Sequence, residues 1–257
     1  MDKKFNKLVK IVEKLRAPDG CPWDKEQTLY SLRDHLIEET FELIEALDNK
    51  DIENIKEELG DLLLHVIMHS VIAAEENLFT LNDVIDTISE KLIRRHPHVF
   101  GKNGVSSVEE VLVNWENIKK DEKKDRRSIL DGIPKALPSL QKAYKLQEKA
   151  KKVGFDWENA EDCTKKVEEE FLELKEAIKY KSFDEIESEF GDVMFSLINL
   201  SRFLNINADK ALQKTNEKFK KRFQYIENEL SKTGLSFQDV SIEFLEELWQ
   251  KSKNATY

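Results

Sequence analysis

The sequence predicts an all-α protein made of two tandem copies of one helical-bundle unit. Three observations predict it. Apolar residues recur at helical spacing over long stretches, while β-branched alternation of strand length is scarce. All five prolines (18, 22, 97, 134 and 138) fall outside the stretches that carry the acidic motifs, as unbroken helices require. The third is an acidic pattern that occurs twice in one register. Glu38-Glu39-x-x-Glu42 is followed by Glu58-Leu59-Gly60-Asp61, and Glu169-Glu170-x-x-Glu173 by Glu189-Phe190-Gly191-Asp192. A single offset of 131 residues carries Glu39, Glu42, Glu58, Gly60 and Asp61 onto Glu170, Glu173, Glu189, Gly191 and Asp192. Only 8 of 257 residues are glycine, so a glycine before the aspartate in both copies marks duplication rather than coincidence in an acidic chain.

In the first copy, Leu32, Leu36, Ile37, Leu43 and Ile44 form one stripe of a helix over 32–46, with carboxylates beside it. Asp48-Asn49-Lys50-Asp51 reads as a turn, and a long helix follows over 52–76, buried around 62–67. Asn77-Leu78-Phe79-Thr80 breaks it, and Thr80 or Asn82 caps the next helix, over 84–95. The second copy repeats the plan with helices over 165–179, 184–204 and 209–230 and a break near 180–183. Looser pairings keep the same order: Asp24 with Asp156, Lys91-x-x-Arg94-Arg95 with Lys218-x-x-Lys221-Arg222, and Trp115-x-x-x-Lys119 with Trp249-x-x-x-Lys253. The expected organisation is an N-terminal helical domain over 1–120, a linker over 121–138 and a C-terminal helical domain over 139–257. The linker opens on the charge run Asp121-Glu122-Lys123-Lys124-Asp125-Arg126-Arg127 and closes on Pro134 and Pro138. Gly60 and Gly191 fall inside helices, where each costs roughly 1 kcal/mol relative to alanine. The expected compensation is close approach of a neighbouring helix backbone.

Composition narrows the function. With 41 basic and 51 acidic residues the formal charge is −10, which disfavours nonspecific nucleic-acid or membrane-surface binding. Cys21 and Cys163 form no metal-spaced set and read as free thiols of a reducing compartment. No stretch approaches the roughly 18 apolar residues that a membrane span needs, so a soluble cytoplasmic protein is expected.

The carboxylates carry the chemistry. Glu170 and Glu173 lie one turn apart on one helix, Glu189 and Asp192 on the next, and a short connection makes the two helices antiparallel. Facing each other, they form a four-oxygen set that repels itself unless a cation sits between. Oxygen-only ligation points to Mg²⁺, with Mn²⁺ as the alternative. Mg²⁺ held by few protein groups recruits substrate phosphates, which suits the cations Lys218, Lys221, Arg222 and Lys166. Trp249 offers a ring for a base, with Lys253 one turn later.

Glu-Glu-x-x-Glu followed by Glu-x-x-Asp on the next helix resembles the motif of the all-α nucleoside triphosphate pyrophosphohydrolases. Cys21-Pro22-Trp23-Asp24, Arg95-His96-Pro97-His98-Val99-Phe100, Val153-Gly154-Phe155-Asp156-Trp157 and Asn216-Glu217-Lys218-Phe219 are similar to the two-domain MazG branch of that family. The resemblance implies Mg²⁺-dependent cleavage of an NTP or dNTP between its α- and β-phosphates, broad base tolerance, a housecleaning role and a homodimer. It implies metal ligands Glu170, Glu173, Glu189 and Asp192, and in the first copy Glu39, Glu42, Glu58 and Asp61. It implies substrate contacts from Lys166, Glu169, Lys218, Lys221, Arg222, Trp249 and Lys253, with Glu169 or Glu170 accepting the proton of the attacking water. The second copy has the fuller cationic set, because His35 stands for Lys166 and Ser89 for Asn216 in the first. Glu185 stands where some relatives carry a substrate-facing lysine. His65 and His69 share a helix face at zinc-binding spacing, but no HExxH surrounds them and their apolar helix favours packing. From a different class, the competing reading is a noncatalytic helical adaptor whose acidic faces bind a basic partner.

Overall fold

The computed structural model describes residues 2–101, 104, 107–122 and 127–255. These residues form helices and no strand. The chain divides into two compact units, Met1–Lys124 and Asp125–Tyr257.

The N-terminal unit holds α1 (Asp2–Arg16), α2 (Pro22–Glu26), α3 (Arg33–Asn49), α4 (Ile52–Glu75), α5 (Leu81–Arg95), α6 (Pro97–Phe100) and α7 (Val108–Asp121). Two residues join α3 to α4: Lys50 in the left-handed conformation (φ 57°), and Asp51, whose side chain caps α4 by accepting from the Asn54 N–H. Thr80 and Asp83 form a reciprocal capping box that starts α5 three residues earlier than its apolar pattern indicates. The core packs Val12 of α1, Leu32, and Ile67, Met68 and Ile72 of α4. Arg16 fixes one end of this packing. Its guanidinium donates to Glu75 of α4 and to the carbonyls of Asp24 and Gln27, so α1, α2 and α4 meet at one side chain.

The C-terminal unit holds α8 (Ser139–Lys151), α9 (Ala160–Tyr180), α10 (Phe183–Phe203), α11 (Ala208–Thr233) and α12 (Ile242–Ala255). Asn159 caps α9, Asn207 caps α11, and Gly234 at φ 71° ends α11, a conformation that glycine adopts without strain. Cys163, Glu170, Leu174 and Ala177 are the buried residues of α9, and their spacing puts Glu170 on the inward face. α9 and α10 form an antiparallel hairpin, α8 packs on α10, and α11 packs on α12 and α8. A second core joins Ile226 and Leu230 of α11 to Leu248 of α12, with Trp249 packed against it.

The stretch expected as a linker, 121–138, is held by contacts near both ends. Helix α7 continues to Asp121, and Glu122 is engaged with α5. Downstream, the Asp131 carboxylate accepts from the N–H groups of Arg127 and Ser128, while Lys149 of α8 donates to the carbonyls of Ile129 and Asp131. Lys123, Lys124, Asp125 and Arg126 of the charge run lie outside the described residues. The expectation for Gly60 and Gly191 is overturned. A Cβ added to either meets nothing within 4 Å, so no helix backbone approaches them.

Candidate functional site

In the C-terminal unit, the α9–α10 hairpin brings Glu170, Glu173 and Glu189 together, each offering a carboxylate oxygen within 4.8 Å of the others. Glu170 is 9% exposed because it shares the face that carries Leu174 and Ala177 inward. Asp192, on the same stripe of α10, is exposed and stands outside the trio. Two lysines balance the charge. Lys166 Nζ lies 2.7 Å from Glu169 Oε1 and 2.8 Å from Glu170 Oε1, and these two hydrogen bonds raise its pKa well above the usual lysine value. Lys181, in the α9–α10 turn, lies 3.1 Å from Glu189 Oε1, and that hydrogen bond raises its pKa too.

Lys181 was not singled out in the sequence, although a lysine in the turn before an acidic helix is a readable signal. Glu185 proves to be a helix cap: its carboxylate accepts from the Ser182 N–H (3.0 Å) and hydroxyl (2.8 Å), which also hold its pKa below the usual range.

The N-terminal unit builds the same hairpin from α3 and α4, and here Glu39, Glu58 and Asp61 converge within 4.8 Å. Glu42 lies outside that trio but close enough for its charge to act on both Glu39 and Glu58. No lysine intrudes. Desolvation first, then repulsion from Asp61, Glu42 and Glu58, pushes the Glu39 carboxyl up. Desolvation and the charges of Glu42, Asp61 and Glu57 push Glu58 up, opposed by a hydrogen bond shared with Glu39. One Glu58 oxygen, Oε2, is buried with no hydrogen-bond partner. An orphaned carboxylate oxygen among mutually repelling carboxylates fits a hard divalent cation.

Both shifts are upward, so the folded chain holds these protons more tightly than the unfolded chain does. Their contribution to stability is complete below the ordinary carboxylate range and is lost as pH rises through the raised folded values. With metal chelated, Glu58→Gln is therefore expected to raise the melting temperature at about pH 7 and to change it little at about pH 4. The same variant is expected to shrink the stabilisation that added Mg²⁺ gives. Thermal melts with chelator and with Mg²⁺ check both outcomes.

Beyond the carboxylates, the N-terminal hairpin carries histidines where its counterpart carries other groups. His35 of α3 packs edge-on against Trp23 at 5.9 Å. His65 of α4 is buried, with His69 one turn on, and the His69 Nδ1 lies 2.8 Å from the His65 carbonyl oxygen. Burial first, then the neighbouring His69 and His35, lowers the His65 pKa, against a smaller opposing pull from Asp61.

Of the other expected substrate contacts, Arg222 of α11 and Trp249 of α12 meet. Arg222 lies over the Trp249 ring at 5.6 Å, Phe219 packs on the same ring at 5.4 Å, and the Arg222 Nε is buried with no hydrogen-bond partner. Lys218 and Lys221 are exposed, and Lys253 donates to Gln250 at 2.7 Å. Among the described residues no hydrogen bond or ion pair links these residues to the carboxylates of α9 and α10. The chain thus brings three of the four expected ligands together in each unit, and of the expected cations Lys166 pairs directly with one of them, Glu170.

The loop before α9 is anchored by a second arginine. Arg202, buried on α10, forms a two-pronged ion pair with Asp156 and also donates to Asn199 at 2.8 Å. It mirrors Arg16, which ties the segment before α3 to α4.

Twin helical hairpins with converging carboxylates define the class: all-α proteins with duplicated acidic hairpins. A model of the MazG nucleotide pyrophosphohydrolase domain matches it twice, over residues 27–100 and 158–226. The chain belongs to this family, and it is an enzyme of the class that hydrolyses phosphoanhydride bonds. It is 50% identical over 250 residues to the nucleoside triphosphate pyrophosphohydrolase/pyrophosphatase MazG of Thermotoga maritima, covering 97% of this chain and 95% of that protein. It is 41% identical over 254 residues to the nucleoside triphosphate pyrophosphohydrolase of Escherichia coli K12, covering 97% of each. A crystal structure of a mazG-related protein from Thermotoga maritima aligns with a TM-score of 0.40 and 30% identity, over 45% of this chain and 98% of that one.

Proposed function

We propose that the chain cleaves nucleoside and deoxynucleoside triphosphates between the α- and β-phosphates, with Mg²⁺ (or Mn²⁺) as cofactor and the C-terminal unit as its main site. The observation that carries this reading is the convergence of Glu170, Glu173 and Glu189 beside Lys166. Family membership and the names of its relatives support the substrate class. Glu170, Glu173, Glu189 and Asp192 would hold the cation, and Glu39, Glu42, Glu58 and Asp61 would do so in the N-terminal unit. A bound Mg²⁺ supplies charge neutralisation for the triphosphate and acidifies a coordinated water.

The chain's own groups do the rest. Water adds to the α-phosphorus as the bond to the bridging oxygen breaks, and pyrophosphate leaves with the electron pair. Glu169, exposed and outside the ligand trio, takes the water's proton; Lys166 holds it next to Glu170. Lys218, Lys221, Arg222 and Lys253 bind the phosphates, and the orphaned Arg222 Nε is a donor in want of an acceptor. Trp249 stacks on the base without selecting it, which suits broad tolerance and housecleaning of the nucleotide pool. The reading requires no nucleic-acid or membrane partner, and no described helix is long and apolar enough to cross a membrane. A role in the nucleotide pool supports a cytoplasmic location. The test is product analysis with a dNTP and Mg²⁺: equal amounts of monophosphate and pyrophosphate are expected. Orthophosphate would point to another phosphohydrolase, and capture of a basic protein without turnover would favour the adaptor reading.

A homodimer completes the proposal. Phe190, Met194 and Leu197 form one exposed stripe on α10, and Phe171 and Ile178 are exposed on α9. Apolar area of this kind in each hairpin matches what a second copy would cover. Gly191 lies beside the stripe with open space above it. Gly191→Ala is therefore expected to stiffen α10, raising its stability by roughly 0.5–1 kcal/mol, and to weaken self-association. Sedimentation over a concentration series checks the second effect.

A further inference from the structure

Arg95 of α5 lies over the Trp115 ring at 5.6 Å, the same arrangement and distance as Arg222 over Trp249 in the C-terminal unit. The two corners differ in one respect. In the C-terminal unit the Arg222 Nε is buried without a partner. In the N-terminal unit the place is filled. Glu122, just beyond α7, accepts from Arg94 Nε at Oε1 (2.6 Å), from Arg95 Nη2 at Oε2 (2.6 Å), and from Arg95 Nε at both oxygens (3.3 and 3.2 Å). The side chains of Arg95 and Glu122 are largely shielded from solvent, at 13% and 15% exposure.

We propose that Glu122 is a plug: its carboxylate closes the Arg94–Arg95–Trp115 corner, the first copy's counterpart of the Arg222–Trp249 corner, in the resting chain, and an incoming triphosphate must displace it. Two guanidiniums around one carboxylate leave a net positive charge and N–H donors unused, since each guanidinium carries five. A terminal phosphate, with three oxygens and about two negative charges, satisfies more of those donors than a carboxylate does. The hydrogen bonds from Arg95 and Arg94 hold the Glu122 carboxyl down at about 2, so the plug stays ionised throughout the working pH range. The Trp115 ring shields one face of the Arg95 guanidinium and directs its donors toward the anion. That the natural ligand is a nucleoside triphosphate rests on the function proposed above; the anion site does not.

The test uses the full chain carrying Lys218→Ala, Lys221→Ala, Arg222→Ala and Lys253→Ala, which removes the C-terminal phosphate contacts, and inorganic tripolyphosphate as the probe in calorimetry. Adding Glu122→Gln is expected to tighten tripolyphosphate binding by roughly tenfold or more. Adding Arg95→Ala as well is expected to cancel the gain. Affinity unchanged by Glu122→Gln, or a gain that survives Arg95→Ala, overturns the proposal. Glu122→Ser, which removes the carboxylate with a smaller side chain, is expected to behave as Glu122→Gln does, so the result does not hang on the fold tolerating one substitution. Pyrophosphate release by the unmodified chain is scored separately. Its presence with no effect of Glu122→Gln rejects the plug alone; its absence with a tenfold gain rejects the enzymatic reading alone.

Discussion

Glu173→Ala is expected to lower Mg²⁺-dependent pyrophosphate release from a dNTP by about 10²- to 10³-fold, with folding intact. The choice of residue matters. Glu170 is buried and bound to Lys166, and Glu189 is bound to Lys181, so replacing either also strands a lysine. Glu173 is exposed and makes no ion pair among the described residues, so its loss subtracts a ligand and little else. The defect should lessen as Mg²⁺ is raised, because a weakened site is refilled by mass action. Glu42→Ala makes the matching change in the N-terminal unit and is expected to leave most turnover in place. Full activity in Glu173→Ala would remove the ligand assignment, whereas equal losses in the two variants would make both units catalytic.

Arg202→Ala is expected to destabilise the C-terminal unit by about 3–5 kcal/mol. Removing the guanidinium leaves the Asp156 carboxylate without its two-pronged partner, and Asn199 loses a donor. That loss should lower the melting temperature by on the order of 10 °C. Arg202→Lys should recover only part of it, since one ammonium cannot reproduce a planar fork. Replacing the pair together, with Asp156→Asn and Arg202→Met, should cost less than Arg202→Ala, because no charge is stranded. Melting of the Arg202→Ala chain together with the parent would mean that the clamp contributes nothing. The clamp joins the loop before α9 to the end of α10, so its failure should also loosen the hairpin that carries the carboxylates.

The duplicated hairpins were legible because an i,i+3 carboxylate pair and an apolar helix stripe are both written in local spacing. Glu39, Glu58 and Asp61 converge, as do Glu170, Glu173 and Glu189, for that reason. Helix starts followed the apolar pattern to within a residue for α4, α10 and α11, while the caps Thr80 and Asn159 start α5 and α9 earlier than their patterns do. Glu122 was hidden within a charge run that resembles a solvated connector, and nothing in local periodicity points to partners 27 and 28 residues upstream. The glycines were located correctly and explained wrongly, since an open surface and a crowded one leave the same mark in a sequence. That Arg222 of α11 meets the Trp249 ring of α12 is a tertiary fact that no local pattern encodes.

Cys163 sits 1% exposed on α9, its thiol pushed up by burial, and the charges of Arg202 and Asp156 act on it, while Cys21 is only half-buried. A sulfur so placed is inert to alkylating reagents until its helix opens. The chain therefore carries its own clock for local unfolding. With Cys21 reacting early, the slow second phase of maleimide labelling times the opening of the C-terminal hairpin, and a bound nucleotide that holds the hairpin shut should lengthen it.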